Sequence, residues 1–235
     1  MRTFAVARDL LREAFARKWV LGLLAGTTAI LTLVGLGLEL EVVDGALAAS
    51  RLFGRALRPD IRAADVALRP LFEAVSWLVF YGGTAFGILA CADFAPTLLA
   101  PGRIEHLLSL PIRRAELVLG TFLGVEALVL AGALYGGGGL AVIVWAKTGV
   151  FGAAPVLSAA LAAAGFAAIY AVMTLAALLV RSAALSAALG AAAYAATIVA
   201  GHRAALAPLF EPGARREAFL LLTAPLPRLP ELARA

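Results

Sequence analysis

The chain is poor in the residues that usually carry chemistry. It holds one cysteine and two histidines in 235 residues. A lone thiol, Cys91, excludes an intrachain disulfide and leaves the redox compartment open. It sits inside an apolar run and reads as a small packing residue. His106 and His202 are far apart and are expected on opposite faces of the molecule, which disfavours a metal or haem held by paired histidines. There is no Gly-x-x-x-x-Gly-Lys-Ser/Thr loop, so the chain lacks the usual cradle for a nucleotide. The run Gly136-Gly137-Gly138-Gly139 has no following lysine, and Gly35-x-Gly37 lacks the third glycine and the strand of a dinucleotide fingerprint. Neither a Gly-x-Ser-x-Gly elbow nor a His-Glu-x-x-His motif occurs. No period of 20–50 residues repeats. No catalytic residue, metal ligand or resident cofactor is therefore assigned, and the chain is read as not an enzyme.

Charge is scarce as well. Charged residues make up 15% and hydrophobic ones 63%. A soluble domain carries about 25% charged and about 45–50% apolar residues. The excess is mostly Ala, Leu, Val and Gly, because aromatics contribute only 8%. Such small residues let helices approach closely in lipid. Transmembrane barrels need alternating segments of about 10 residues, and the runs here are unbroken. The expected fold class is all-α: a polytopic bundle forming one transmembrane domain over residues 1–235. The net charge of +5 bears on orientation and on the lipid bilayer as partner, not on nucleic acid.

Residues 1–18 predict an amphipathic helix. Phe4, Ala7, Leu11, Ala14 and Phe15 recur at helical spacing beside Arg2, Arg8, Arg12, Arg17 and Lys18. A signal peptide ending at Ala46-Leu47-Ala48 is the rival, but the apolar run is too long and acidic residues precede the site. Five spans are predicted, at about 19–38, 71–92, 117–146, 153–180 and 183–200. Residues 39–70 read as a polar loop and 201–235 as an extracytoplasmic tail. The third span is long enough that it must tilt, protrude or break, with the four glycines as the weak point. Basic residues are denser in the short segments 1–18, 93–114 and at Arg181, which favours a cytoplasmic N-terminus.

Two features stand out against this background. The first is the charged loop 93–114 between two apolar runs. Leu98–Leu110 can form a short helix with Leu98, Leu99, Ile104, Leu107 and Leu108 apolar and Arg103, Glu105 and His106 polar, stopped by Pro111. It suits helix-in-groove docking on a soluble partner, or serves as an interfacial connector. The second is Glu126, nine positions into the third span with no basic residue near it. It is either a polar group on a transport path or a carboxyl satisfied within the bundle. Gly22/Gly26, Gly83/Gly87, Gly120/Gly124 and Gly132/Gly136 have the spacing of close helix crossings.

The loop resembles that of the ABC-2 type exporter permease family, the membrane subunits of ATP-driven exporters. The family pattern Gly-x-x-Glu-x-Leu-Leu-x-x-Pro-x-x-Arg-x-x-x-x-x-Gly is matched by Gly102, Glu105, Leu107, Leu108, Pro111, Arg114 and Gly120. The basic N-terminal helix is similar to the family's elbow helix. The resemblance implies a multi-pass permease of the bacterial inner membrane with its N-terminus cytoplasmic. It implies a separate nucleotide-binding ATPase that carries the ATP and Mg and docks on Leu98, Leu99, Gly102, Arg103, Ile104, Glu105, Leu107, Leu108, Pro111 and Arg114. It further implies a second permease chain, with a homodimer expected. The family usually has six spans, and five are found here. The haem-exporter membrane subunit of cytochrome c maturation has a comparable Leu-Leu-x-x-Pro loop, but Pro101-Gly102-Arg103 stands where an acidic Asp-Gly-Ser is usual there. An intramembrane enzyme is the reading from a different class, disfavoured because only Glu126 lies deep in a span where paired polar groups would be needed, and a scaffold subunit without transport is a third. Nothing in the spans names a cargo.

Overall fold

A computed structural model describes residues 2–16, 18–43, 46–52, 55–58, 62–63, 73, 77–109, 112–149, 151–210 and 213–224. Helices dominate. Helix α1 (Arg2–Ala16) leads into α2 (Lys18–Gly37). A π-helical turn (Leu78–Gly82) opens α3 (Gly83–Cys91). Two short helices follow, α4 (Phe94–Leu98) and α5 (Arg103–Ser109). The long helices are α6 (Arg114–Thr148), α7 (Ala154–Val180) and α8 (Ala183–Gly201). Two small helices, α9 (Arg203–Leu206) and α10 (Ala214–Thr223), end the described chain.

Four helices are long and apolar enough to cross a membrane: α2 from Val20, α6, α7 and α8. Their bounds lie close to the expected spans 19–38, 117–146, 153–180 and 183–200. The expected span 71–92 lies partly outside the described residues. Its described part, from Trp77 through the π turn and α3, is too short to be counted with the other four. Large side chains on the outer faces remain exposed, among them Leu33 and Leu36 on α2 and Leu175 and Leu179 on α7. Such a collar is costly in water and natural against lipid tails.

Residues 38–63 depart from the polar loop expected there. They form four short antiparallel strands: β1 (Leu38–Val43), β2 (Ala46–Leu52), β3 (Arg55–Arg58) and β4 (Arg62–Ala63). β2 pairs β1 along one edge and β3 and β4 along the other. The alternation Leu38-Glu39-Leu40-Glu41-Val42 has the period-two pattern of a strand, a signal that the loop reading passed over in favour of the segment's charge.

The pairings fix the direction of each helix. Leu31 meets Gly139 and Gly35 meets Ile143, so α2 and α6 run the same way. Gly137 meets Pro155 and Ala159, while Phe122 meets Tyr170, so α7 returns antiparallel. Tyr194 of α8 donates to the Tyr81 carbonyl at 3.0 Å, and Gly190 meets Met173 and Ile88. That bond gives a carbonyl of the π turn a partner. The turn from α7 to α8 is tight. Arg181 takes a left-handed φ of 55° and Ser182 caps α8. This brings Arg181 to the same end of the bundle as residues 92–113. The core between α3, α6 and α7 holds Phe80, Val125, Phe166, Ile169, Tyr170 and Met173.

Helix α6 does not break at its glycines. At 1.5 Å per residue its 35 residues span about 52 Å, well beyond a hydrocarbon core of about 30 Å. Contact outweighs propensity here. A Cβ at Gly137 would stand 2.6 Å from the Pro155 carbonyl oxygen, and one at Gly139 2.6 Å from Leu31 Cδ1. The glycine run therefore admits α7 and α2 on different sides. Nearer the start of α6, a Cβ at Gly120 would stand 2.6 Å from Val6 Cβ and 2.8 Å from the Thr3 carbonyl oxygen. One at Gly124 would stand 3.1 Å from the Ala7 carbonyl oxygen. Of the four expected Gly-x-x-x-Gly pairs, Gly120/Gly124 is the one with both members at a crossing. Gly22/Gly26 has nothing within 4 Å of either position.

This gives a paired test. Gly120→Ala should lower the stability of the folded chain by about 1–3 kcal/mol through overpacking. Gly132→Ala meets nothing within 4 Å and should be neutral, or stabilising by up to about 1 kcal/mol through helix propensity. Thermal unfolding of both variants in detergent checks the contrast; equal melting shifts would refute the close crossing.

Candidate functional site

The loop expected to hold one helix over 98–110 holds two. Pro101 biases residue 100 away from helical torsions and Gly102 adopts φ 81°, so the chain turns between α4 and α5. α5 begins at Arg103. The second turn leads to α6, where the Arg113 backbone N–H donates to Glu116 Oε2 at 2.8 Å and closes the helix start. Pro111 lies outside the described residues, as do the side chains of His106 and Leu108.

The loop is held from the far end of the sequence. Arg103 donates to both carboxylate oxygens of Glu13 on α1, with Nη1 to Oε1 at 2.9 Å and Nη2 to Oε2. Arg103 and Glu13 side chains are 36% and 29% exposed. A forked guanidinium–carboxylate pair is the strong form of such a bond, and partial burial limits its screening. Between α1 and the loop lies a cleft of about 210 Å³. Leu10, Phe94, Leu98, Leu107, Ile112 and Leu117 give it an apolar floor, and Asp9, Glu13 and Arg103 line it with charge.

The expected docking residues divide accordingly. Leu98 is buried, and with Arg103 and Leu107 it lines the chain's own cleft. Leu99 and Ile104 are half-buried. Gly102, Glu105 and Arg114 are exposed. Glu105 lies two residues beyond Arg103 on α5, so it faces away from α1. Glu13 and Asp9 were not foreseen as part of this site. No local spacing rule pairs residues 90 positions apart. α1 itself buries Ala7, Leu10 and Ala14 against the bundle, while Phe4 and Phe15 point outward beside exposed Arg8 and Arg12.

Glu126 lies apart from this cleft. It is half-buried on α6, and its Oε2 is buried without a hydrogen bond. Tyr170 on α7 is also buried, with Thr174 one turn further along the same helix as a hydrogen-bond neighbour. Buried Cys91 of α3 lies near both. Phe122, Phe166 and Tyr170 stack alongside, with ring centroids 5.6 and 5.7 Å apart. Among the described residues no group of His, Cys, Asp and Glu is placed to hold a metal ion.

Comparison with protein-family models, with curated proteins and with solved structures finds no match to this chain.

The α1–α5 clamp predicts a measurable coupling. Glu13→Gln and Arg103→Gln should each loosen both helices, raising amide exchange in 2–16 and in 103–109. The swap Glu13→Arg with Arg103→Glu should restore protection, with a coupling of about 1 kcal/mol in the cycle. Exchange in α1 that ignores Arg103 would show that the pair holds nothing.

Proposed function

We propose that this chain is the permease subunit of an ATP-driven exporter of the ABC-2 type. It sits in the bacterial inner membrane with its N-terminus cytoplasmic. A separate ATPase, carrying ATP and Mg, docks on the loop between α3 and α6, and two permease chains assemble around the pathway. α1 serves as the interfacial elbow.

The observation that carries this reading is the place of the loop. Its two short helices lie at the end of the bundle that also holds the α7–α8 turn, and α5 is clamped to α1 by Arg103 and Glu13. A push on α5 is therefore delivered to α1. From there it reaches α6 through Val6 and Ala7 against Gly120 and Gly124. Arg113, Arg114 and Arg181 are exposed at the same end, where anionic headgroups of the inner leaflet would receive them. The exposed Gly102–Glu105 side of the loop is left to meet the partner. Such a rigid linkage is what a two-state, rocking pathway requires.

The experiment is purification of the chain from its native membrane, with ATPase activity in the eluate as the readout. Glu105→Arg reverses an exposed charge that faces away from α1, so the bundle should still insert and melt as before. The associated ATPase activity should fall at least about tenfold, as for a truncated interfacial contact. Leu107→Asp is a poorer choice, because Leu107 also lines the internal cleft. Full retention of the ATPase in Glu105→Arg would remove the docking face from this loop. Purification with no ATPase at all would favour a scaffold.

A further inference from the structure

The cleft between α1 and the loop has a polarity that the Arg103–Glu13 clamp does not account for. Its floor is apolar, made by Leu10, Phe94, Leu98, Leu107, Ile112 and Leu117 around a space of about 210 Å³. A drug-sized ligand usually needs about 300 Å³ or more, so this space suits a segment of one hydrocarbon chain. At its side Arg103 and Glu13 neutralise one another. Asp9 lines the cleft as well. Its side chain is exposed, and among the described residues its carboxylate enters no ion pair or hydrogen bond. The mouth of the cleft therefore keeps one uncompensated negative charge. Positive charge stands just beyond it. With 3.6 residues per turn, Arg12 lies about 60° round α1 from Asp9 and Arg8 about 100°, both on the side away from the buried Ala7, Leu10 and Ala14. Both arginines are exposed, and Phe4 and Phe15 flank them, 73% and 52% exposed. A helix face of arginine and phenylalanine is one that turns to lipid headgroups.

A chain-sized apolar space, a carboxylate at its mouth and arginines one step outside complement a lipid whose head carries both signs of charge. We propose that the cleft binds a membrane phospholipid with a primary ammonium head, of the phosphatidylethanolamine class. A segment of one acyl chain lies on the apolar floor. The ammonium donates to the Asp9 carboxylate, and the phosphate accepts from Arg12. A choline head keeps the positive charge but has no N–H to donate. A glycerol head has no cation for Asp9. Each therefore fits less well. The lipid stands between α1 and the loop beside the Arg103–Glu13 pair, and so adds to what holds α1 in place. The site rests on the bundle lying in a membrane; that the lipid is one of the inner leaflet rests on the exporter reading.

The test uses the full chain in nanodiscs of equal parts phosphatidylethanolamine, phosphatidylcholine and phosphatidylglycerol with matched acyl chains. Native mass spectrometry counts the lipids that stay on the released protein. Wild type should retain phosphatidylethanolamine several-fold over the other two, the scale of an ion pair at an exposed carboxylate. Asp9→Asn should bring phosphatidylethanolamine level with phosphatidylcholine, with helix content unchanged because Asp9 is exposed. Arg12→Gln should lower the retention of both alike. Ala5→Leu, which narrows the cleft from α1, should lower retention of phosphatidylethanolamine. As a second measurement, nanodiscs of phosphatidylethanolamine should slow amide exchange over residues 2–16 relative to phosphatidylcholine in wild type, and not in Asp9→Asn. Equal retention of the two zwitterionic lipids by wild type overturns the proposal, as does a preference that survives Asp9→Asn. A preference for phosphatidylglycerol also overturns it, by making the face a plain basic patch for anionic lipid. Unchanged retention in Ala5→Leu would take the acyl chain out of the cleft and overturn it too. No ATPase enters the experiment. Selective retention by a chain that purifies without ATPase activity would sink the exporter reading and leave the site; a chain that brings an ATPase but shows no selectivity would do the reverse.

Discussion

The architecture depends on how closely other helices can approach α6. In lipid there is little hydrophobic gain from pressing one apolar helix on another, so association rests on van der Waals contact and hydrogen bonds. α6 meets this constraint with glycine at its crossings. Gly120 and Gly124 admit α1, Gly137 admits α7 and Gly139 admits α2. Each costs helix propensity, and each is repaid by backbone-level contact. The same helix thus carries an amphipathic helix along its first half and a membrane helix along its second. A substitution at any of these positions acts on a neighbouring helix more than on α6 itself.

Charge is used sparingly and at separate places. At the loop end Arg103 is consumed by Glu13, which leaves Glu105 as exposed charge on α5. Arg113, Arg114 and Arg181 then mark the same end with unspent positive charge suited to headgroups. Along the bundle, hydroxyls are satisfied locally. Ser186 donates to the Met173 carbonyl at 2.9 Å, and Thr84 and Thr174 donate one turn back along their own helices. Against this background the unpartnered Oε2 of Glu126 is an exception.

The loop and the carboxylate belong to one frame. α5 is tied to α1, α1 lies on α6, and α6 carries Glu126 two residues beyond the Gly124 crossing. Contiguous packed contacts thus join the loop to the part of α6 that carries Glu126. That continuity is what a permease driven by an external ATPase would need.

Sequence alone located four helices long and apolar enough to cross a membrane, and placed the ends of α2, α6, α7 and α8 to within a few residues. Hydropathy and length are local sums, and lipid rewards them directly. It also located the loop, since charge and proline between two apolar runs are visible without a fold. The strands after Leu38 were missed, because the charge of 39–70 made the segment read as a polar loop. What the linear chain did not hold was who meets whom. The partner of Arg103 lies 90 residues away, the glycine run proved a contact surface instead of a break, and one loop helix became two around Pro101 and Gly102. Glu126 was conspicuous in the sequence. That its Oε2 finds no hydrogen-bond partner was decided only by the packing of α3 and α7 on α6, because pairing across helices depends on packing geometry and not on spacing along the chain.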